Sequence, residues 1–130
     1  MKFKQVYEAV GHLPFTEESQ CRVLYDWVRE SRPARSMELG FFYGKTSCVI
    51  AAALQENGSG HLTSIDLETV RSHKGNPNIL AHLEKTGLQS FVTPVFSRIS
   101  YTWELKKIIE KQTTGNRCEP FLDFIFLDGA

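Results

Sequence analysis

Hydrophobic positions along the chain alternate between short apolar runs, typical of buried strands, and longer stretches with helical spacing. Four runs predict strands, at residues 35–39, 61–67, 91–96 and 120–127. The stretches between them predict helices, at residues 47–55, 78–85 and 101–111. The first of these helices is apolar on every side, which predicts burial against a sheet. Pro94 lies in the third run and predicts an edge strand, because proline cannot donate a ladder hydrogen bond.

An amphipathic helix is predicted over residues 16–30, ahead of the first strand. Thr16 suits its N-cap, Leu24 and Val28 belong to its apolar stripe, and Pro33 follows its end, since the residue before a proline avoids the helical region. The order is therefore one helix and then β-α-β-α-β-α-β. This alternation predicts an α/β fold with a parallel sheet and right-handed crossovers.

The composition limits the size of the protein and its class. With 130 residues the chain has room for a single domain, predicted to span residues 1–130. Lys and Arg together number 15, as do Asp and Glu, so the net charge is zero. A zero net charge argues against a nucleic-acid partner bound by general electrostatic attraction. No apolar run approaches the roughly 20 residues that cross a bilayer, so no membrane association is expected.

Cysteine usage and the N-terminus indicate where the protein resides. Three cysteines, Cys21, Cys48 and Cys118, are an odd number without C-x-x-C spacing, so we expect reduced thiols rather than a disulfide framework. The first residues lack the apolar core of a signal peptide. We therefore expect a cytoplasmic protein.

The turn between the first strand and the buried helix carries the candidate chemistry. Gly40 and Gly44 bracket it, and its backbone N–H groups at a helix N-terminus suit an anionic group. A P-loop needs four residues between its glycines, and here there are three. A dinucleotide fingerprint needs a middle glycine, which Phe42 replaces. A P-loop or dinucleotide-type nucleotide binder stays an alternative.

A third interpretation of the turn is a resemblance to a known family. Residues 38–47 read Glu-Leu-Gly-Phe-Phe-Tyr-Gly-Lys-Thr-Ser and resemble the E-x-G-x-x-x-G-x-[ST] motif of class I S-adenosylmethionine-dependent methyltransferases, especially the catechol O-methyltransferase type and its bacterial small-molecule relatives. Asp66 lies where that family has an acid at the end of its second strand. Residues 124–129 resemble its fourth-strand motif, F-[ILV]-F-[ILV]-D-[GH]. The resemblance covers about residues 20–130, the N-terminal, cofactor-binding half of that fold.

The resemblance implies a fold and an activity. The fold would be a Rossmann-like three-layer sandwich with strand order 3-2-1-4, in which the C-terminal strands of the full seven-stranded order 3-2-1-4-5-7-6 are absent, so the domain looks truncated at its C-terminus. The activity would be methyl transfer from S-adenosylmethionine to a small-molecule acceptor, through oxygen rather than nitrogen. An inactive S-adenosylmethionine-binding module or fragment is the alternative, since the missing half usually closes the substrate pocket.

The resemblance also implies roles for residues. The backbone from Gly40 to Tyr43 would line the methionyl group, Glu38 would face the ammonium or sulfonium, and Asp66 would accept hydrogen bonds from both ribose hydroxyls. The hydroxyl of Thr46 or Ser47 would bind the methionyl carboxylate. The residues implied in cofactor binding are Glu38, Gly40, Phe41, Tyr43, Gly44, Thr46, Ser47, Asp66, Leu67, Ser97, Arg98 and Asp128, of which Ser97 and Arg98 lie where the family contacts adenine.

Asp128 is the candidate catalytic residue and the candidate metal ligand. In metal-dependent members of the family the corresponding acid binds a divalent cation, and oxygen ligands suit Mg²⁺. The other metal ligands would lie beyond Ala130, so a role beside the methyl group without metal is equally open. The apolar edge of the fourth strand predicts either a homodimer or a longer parent chain that covers this strand. Lys45 is expected to be a solvated residue of the first helical turn, and Tyr101 is expected to belong to a packing face of its helix.

Overall fold

The computed structural model describes residues 1–75 and 77–128. Its helices are α1 (Phe3–Val10), α2 (Glu18–Ser31), α3 (Lys45–Asn57), α4 (Ile79–Thr86) and α5 (Tyr101–Lys111), with 3₁₀ segments at Glu68–Gly75 and Gln89–Phe91. Its strands are β1 (Arg35–Leu39), β2 (His61–Leu67), β3 (Val92–Ser97), β4 (Thr113–Thr114), β5 (Arg117–Cys118) and β6 (Phe124–Leu127). The predicted fourth-strand motif ends at Gly129, which lies outside the described residues.

The main sheet is parallel and has the order β3-β2-β1-β6. The predicted fourth strand corresponds to β6, so this is the predicted order 3-2-1-4. Strands β4 and β5, which lie between β3 and β6 in the chain, have two residues each and form a separate antiparallel pair. The α/β prediction is therefore confirmed, as is the edge position of the strand that contains Pro94. In this register Glu38 of β1 lies beside Ser64 of β2 and Phe126 of β6.

The core lies where α3 packs against the sheet, with α1, α2 and α4 around it. The apolar residues of α3 from Cys48 to Leu54 are fully buried, as its all-round hydrophobicity predicts. From β1 to β3 each new strand is added on one side of β1, whereas β6 is added on the other side. A right-handed crossover from β3 to β6 therefore places α5 on the face of the sheet opposite to α3. None of the residues of α5 is buried, and Trp103 is 41% exposed.

Predictions at the element ends were correct where a side chain caps the helix. Asn78 Oδ1 accepts a hydrogen bond from Leu80 N (2.9 Å), and Ser100 Oγ accepts one from Trp103 N (3.0 Å). The first strand and second strand have the predicted bounds.

The predicted N-terminal helix and fourth strand need correction. Two helices precede β1, and α2 is capped by Glu17 rather than Thr16, because Thr16 has a positive φ of 32° and Gln20 completes a capping box with Glu17. The fourth strand begins at Phe124 rather than at residue 120. Just before this strand, a carboxylate oxygen of Asp123 accepts a hydrogen bond from Arg35 N (2.9 Å), the first residue of β1, where a backbone carbonyl of a paired strand would otherwise accept it.

Candidate functional site

The chain turns sharply between β1 and α3. Gly40 N donates to the carbonyl of Ile65 (2.8 Å), which extends the pairing of β1 with β2 by one bond. Gly40, Phe42 and Gly44 then have φ of 91°, 49° and 90°. Glycine adopts left-handed values without a steric cost, whereas they are uncommon for a residue such as Phe42. The bends leave space between the turn and the strand ends.

That space is a cavity of about 450 Å³ at the carboxyl ends of β1, β2 and β6, which is where ligands bind in open parallel sheets. Several of the predicted site residues line it together: Gly40, Phe41, Tyr43, Thr46, Asp66, Leu67 and Asp128. Phe42, which belongs to the predicted stretch from Gly40 to Tyr43, also lines the cavity. Six further lining residues were not predicted as site residues: Pro14, Phe15, Thr16, Lys45, Val70 and Tyr101. Five predicted site residues are not in the lining, namely Glu38, Gly44, Ser47, Ser97 and Arg98.

Asp66 is the centre of the hydrogen bonding in the cavity. Its Oδ2 accepts from the backbone N–H groups of Phe41 (2.8 Å) and Phe42 (2.6 Å). Its Oδ1 accepts from Leu67 N (2.7 Å) and from the hydroxyl of Tyr101 (2.9 Å). A carboxylate has about four lone-pair positions, so these four donors use its acceptor capacity and tie the glycine turn to the end of β2.

The hydroxyl of Tyr101 points toward Asp66 rather than serving only as part of a packing face of α5. Burial raises the pKa of this phenol to about 12, and its hydrogen bond to Asp66 acts in the same direction. Tyr101 is therefore a neutral hydrogen-bond donor at any physiological pH. The sequence signal that could have found it is its position as the first residue of a helix that follows a strand end.

Glu38 is fully buried beneath the cavity rather than in its lining. Three hydroxyl groups, those of Thr46, Ser47 and Ser64, donate hydrogen bonds to its carboxylate, the last at 2.8 Å. Burial and, to a smaller extent, the charge of Asp128 raise the pKa of Glu38 to about 7 against the effect of these hydrogen bonds. The hydroxyls that the resemblance assigned to a ligand carboxylate are thus bound to Glu38, and only Thr46 connects Glu38 to the cavity wall.

Asp128 follows β6, and its N–H donates to the carbonyl of Leu39 (2.9 Å). Desolvation raises the pKa of its carboxyl group. Because the oxygens of Asp66 already have partners, Asp128 is the one carboxylate among the described lining residues with capacity to spare. Within residues 1–75 and 77–128 no group of three or more histidine, cysteine or acidic side chains could hold a metal ion. Binding of Mg²⁺ by Asp128 stays a prediction.

Lys45 is buried, which corrects the expectation that it is solvated. The residue is 6% exposed, and Nζ donates to the carbonyls of Phe15 (2.8 Å) and Thr16 (3.0 Å). These residues belong to the loop between α1 and α2, which forms one wall of the cavity. Sequence spacing placed Lys45 in a first helical turn but contained no sign that the loop would cover it.

Ser97 and Arg98 lie outside the cavity. Ser97 is buried, and its Oγ lies 3.1 Å from the carbonyl oxygen of Ser100 and 3.0 Å from Oε1 of Glu104. Arg98 is exposed. In this structure Ser97 organises the turn from β3 into α5, while a contact of either residue with adenine stays a prediction.

Comparison with known proteins identifies the kind of domain. A family model described as "Methyltransferase domain" matches residues 37–130. No curated protein matched the sequence. No helix in the described ranges is long and apolar enough to span a membrane.

Solved structures of similar fold are also methyltransferases. The chain superimposes on the methyltransferase PaMTH1 of Podospora anserina, bound to S-adenosylhomocysteine (TM-score 0.67, 15% identity, 98% of this chain and 49% of that one). It also matches an O-methyltransferase of Bacillus cereus in complex with S-adenosylhomocysteine (0.66, 22%, 98% and 53%). A third match is TomG of Streptomyces achromogenes, an O-methyltransferase of tomaymycin synthesis in complex with S-adenosylmethionine (0.64, 22%, 98% and 52%). The chain spans about half the length of these proteins.

Proposed function

The chain belongs to the methyltransferase-domain family, and from this premise we propose that its cavity binds S-adenosylmethionine for methyl transfer to a small-molecule acceptor. The observation that carries the proposal is the meeting of the glycine turn, Asp66 and Asp128 around one cavity of about 450 Å³. That volume lies in the range of about 300–1,000 Å³ that is usual for small-molecule sites. The cofactor carries no phosphate, which agrees with a turn too short for a P-loop.

Asp66 is the proposed anchor of the ribose. A carboxylate can accept a hydrogen bond from each of two neighbouring hydroxyls. Since four protein donors already surround Asp66, the ligand must displace some of them, and the side chain of Tyr101 can leave most easily because the other three donors are backbone groups. The turn from Gly40 to Tyr43 would then line the methionyl group.

Asp128 is the proposed catalytic residue. In the reaction an acceptor oxygen attacks the sulfonium methyl in line, so that the C–O bond forms while the C–S bond breaks and its electron pair stays on sulfur. The acceptor's proton passes to a carboxylate, for which Asp128 is available at the cavity wall. A pKa raised by burial favours such proton transfer. Most of the rate would come from holding donor and acceptor in attack geometry.

A thermal-shift titration with S-adenosylhomocysteine, ATP and NAD tests the binding. We expect stabilisation of the wild type by S-adenosylhomocysteine and its loss in Asp66→Asn, whereas Asp26→Asn, an exposed acid on α2, should behave as wild type. Stabilisation by ATP or NAD instead would favour the P-loop or dinucleotide alternative. Binding without transfer of labelled methyl to a panel of phenols and catechols would favour the alternative of an inactive module.

We also propose a cytoplasmic location and a homodimer. The location is supported by free thiols at Cys21, Cys48 and Cys118, two of them buried. The dimer is supported by β6, the edge of the described sheet, where Ile125 and Leu127 are exposed. The acceptor is the only other partner proposed, with neither nucleic acid nor membrane.

A further inference from the structure

A buried cation without a countercharge lies on the cavity wall. Lys45 is 6% exposed and lines the cavity, yet within the described part of the chain its Nζ has only the carbonyls of Phe15 and Thr16 as partners. Among the described residues no carboxylate lies within ion-pair distance of this ammonium. A buried charge is costly unless it is paired. An anionic group in the cavity would supply the missing countercharge.

The other charges of the cavity restrict where an anion can lie. The charged side chains in the lining are Lys45, Asp66 and Asp128. Both acids repel a ligand carboxylate, so Lys45 is the favourable position for it. The lysine ammonium has three N–H donors, and its two hydrogen bonds to the loop leave one for a ligand. Lys45 is also the first residue of α3, where the helix dipole favours negative charge.

We propose that Lys45 binds the carboxylate of the ligand's amino-acid tail, an inference that rests on the proposed function. The resemblance assigned this task to Thr46 or Ser47, but both of those hydroxyls donate to Glu38. The cation of Lys45 would bind the carboxylate tail and the anion of Asp66 would bind the ribose hydroxyls, so the charges of these two residues fix the orientation of the ligand. The tail points toward α3 and the nucleoside toward β2.

The same lysine holds the loop that covers the tail position. Pro14, Phe15 and Thr16 line the cavity, and the ring of Phe15 makes an edge contact with Phe42 (5.4 Å between centroids). Phe15 and Thr16 have positive φ of 64° and 32°, which is uncommon for residues other than glycine. Removing Lys45 would therefore disturb the loop as well as the anion contact, and the test must separate the two effects.

Two ligands that differ only in the carboxylate make that separation. They are S-adenosylhomocysteine and its decarboxylated form, S-adenosyl-3-thiopropylamine, and isothermal titration calorimetry measures both on wild type, Lys45→Met and Lys45→Gln. Lys45→Gln keeps a donor for the loop carbonyls without the charge, and remains informative if Lys45→Met does not fold. Lys4→Met, at an exposed lysine of α1, is the matched control.

We expect both Lys45 variants to weaken binding of S-adenosylhomocysteine by about 10- to 100-fold more than they weaken binding of the decarboxylated ligand, the range for a hydrogen bond to a charged group. Any disturbance of the loop weakens both ligands alike and cancels in this comparison. An equal loss for both ligands would mean that Lys45 acts only by holding the loop and would overturn the inference. Unchanged affinity for S-adenosylhomocysteine would also overturn it. A wild type that binds neither ligand would instead refute the proposed function.

Discussion

The hydroxyl of Tyr101 lies 2.9 Å from Oδ1 of Asp66 and donates a hydrogen bond to the carboxylate that we propose as the ribose anchor. Leu67 N donates to the same oxygen, and two further N–H groups donate to the other one. A nucleoside can reach Asp66 only by taking the place of a protein donor. The free energy of binding is then the difference between the ligand's hydrogen bonds and those that it replaces.

We therefore predict that Tyr101→Phe binds S-adenosylhomocysteine more tightly than the wild type. Deleting the competing donor removes a hydrogen bond worth about 1 kcal/mol, which corresponds to a roughly fivefold lower Kd. Calorimetric titration measures the change, and Tyr7→Phe, on α1 outside the cavity lining, serves as the control. Weaker binding by Tyr101→Phe would show that the hydroxyl contacts the ligand instead of competing with it.

Glu38 predicts a pH dependence of stability. Its pKa is raised from an ordinary 4.5 to about 7 in the folded protein, chiefly by burial. Below pH 4.5 the carboxyl group is protonated in both the folded and the unfolded state. Between pH 4.5 and 7 only the folded state holds the proton, so this contribution to the free energy of unfolding falls as the pH rises and is lost above pH 7.

The comparison with Glu38→Gln isolates this contribution. Glutamine is neutral at every pH, so the free energy of unfolding of the wild type, relative to that of the variant, should fall by about 3 kcal/mol between pH 4 and pH 8. Urea denaturation at several pH values measures both proteins, and the other titrating groups largely cancel in the difference. A difference that does not change with pH would show that Glu38 titrates normally.

Sequence patterns predicted the elements that bury apolar side chains, because the pattern that identifies each of these elements lies within the element itself. The short runs at β1 and β2 and the all-apolar α3 alternate along the chain in the way that a parallel sheet covered by helices requires. The same reasoning located Asp66 at a strand end, because strand ends of a parallel sheet share one edge. The position of a residue such as Asp66 was therefore predictable, because it follows from the end of the strand that contains it.

The parts that escaped prediction depend on contacts between distant segments. Lys45 is buried because the loop before α2 folds over it, 29 and 30 residues away in the chain. Tyr101 reaches Asp66 across 35 residues. The hydroxyls of Thr46 and Ser47 face Glu38 because β1 directs its side chain under α3. No periodicity in the sequence encodes such pairs, so Lys45 and Tyr101 were not predicted as site residues, and the resemblance assigned the hydroxyls of Thr46 and Ser47 to a ligand carboxylate.

Gly44 predicts a large loss of stability on substitution. Its φ is 90°, and an added Cβ would lie 2.6 Å from Cγ1 and 2.8 Å from Cβ of Ile79. Gly44→Ala therefore carries a left-handed strain of about 1–2 kcal/mol and an overpacking cost of about 1–3 kcal/mol. Gly58→Ala is the matched control, because its φ of 73° gives the same strain with no atom within 4 Å. Chemical denaturation should find Gly44→Ala the less stable of the two, and equal losses would contradict the close packing of α4 on the turn.

The exposed edge of β6 predicts the oligomeric state. On this strand Leu127 is 68% exposed and Ile125 is 43% exposed, and an apolar groove lies between the strand and α2. An unpaired apolar edge strand favours pairing with a second copy, and a charged side chain on the edge opposes it. Sedimentation velocity should find a wild-type mass of twice 14.8 kDa and a monomer for Leu127→Lys. The control Ile99→Lys, which changes an exposed residue between β3 and α5, should remain a dimer. A wild type that stays monomeric, or a Leu127→Lys variant that still dimerises, would rule out association through β6.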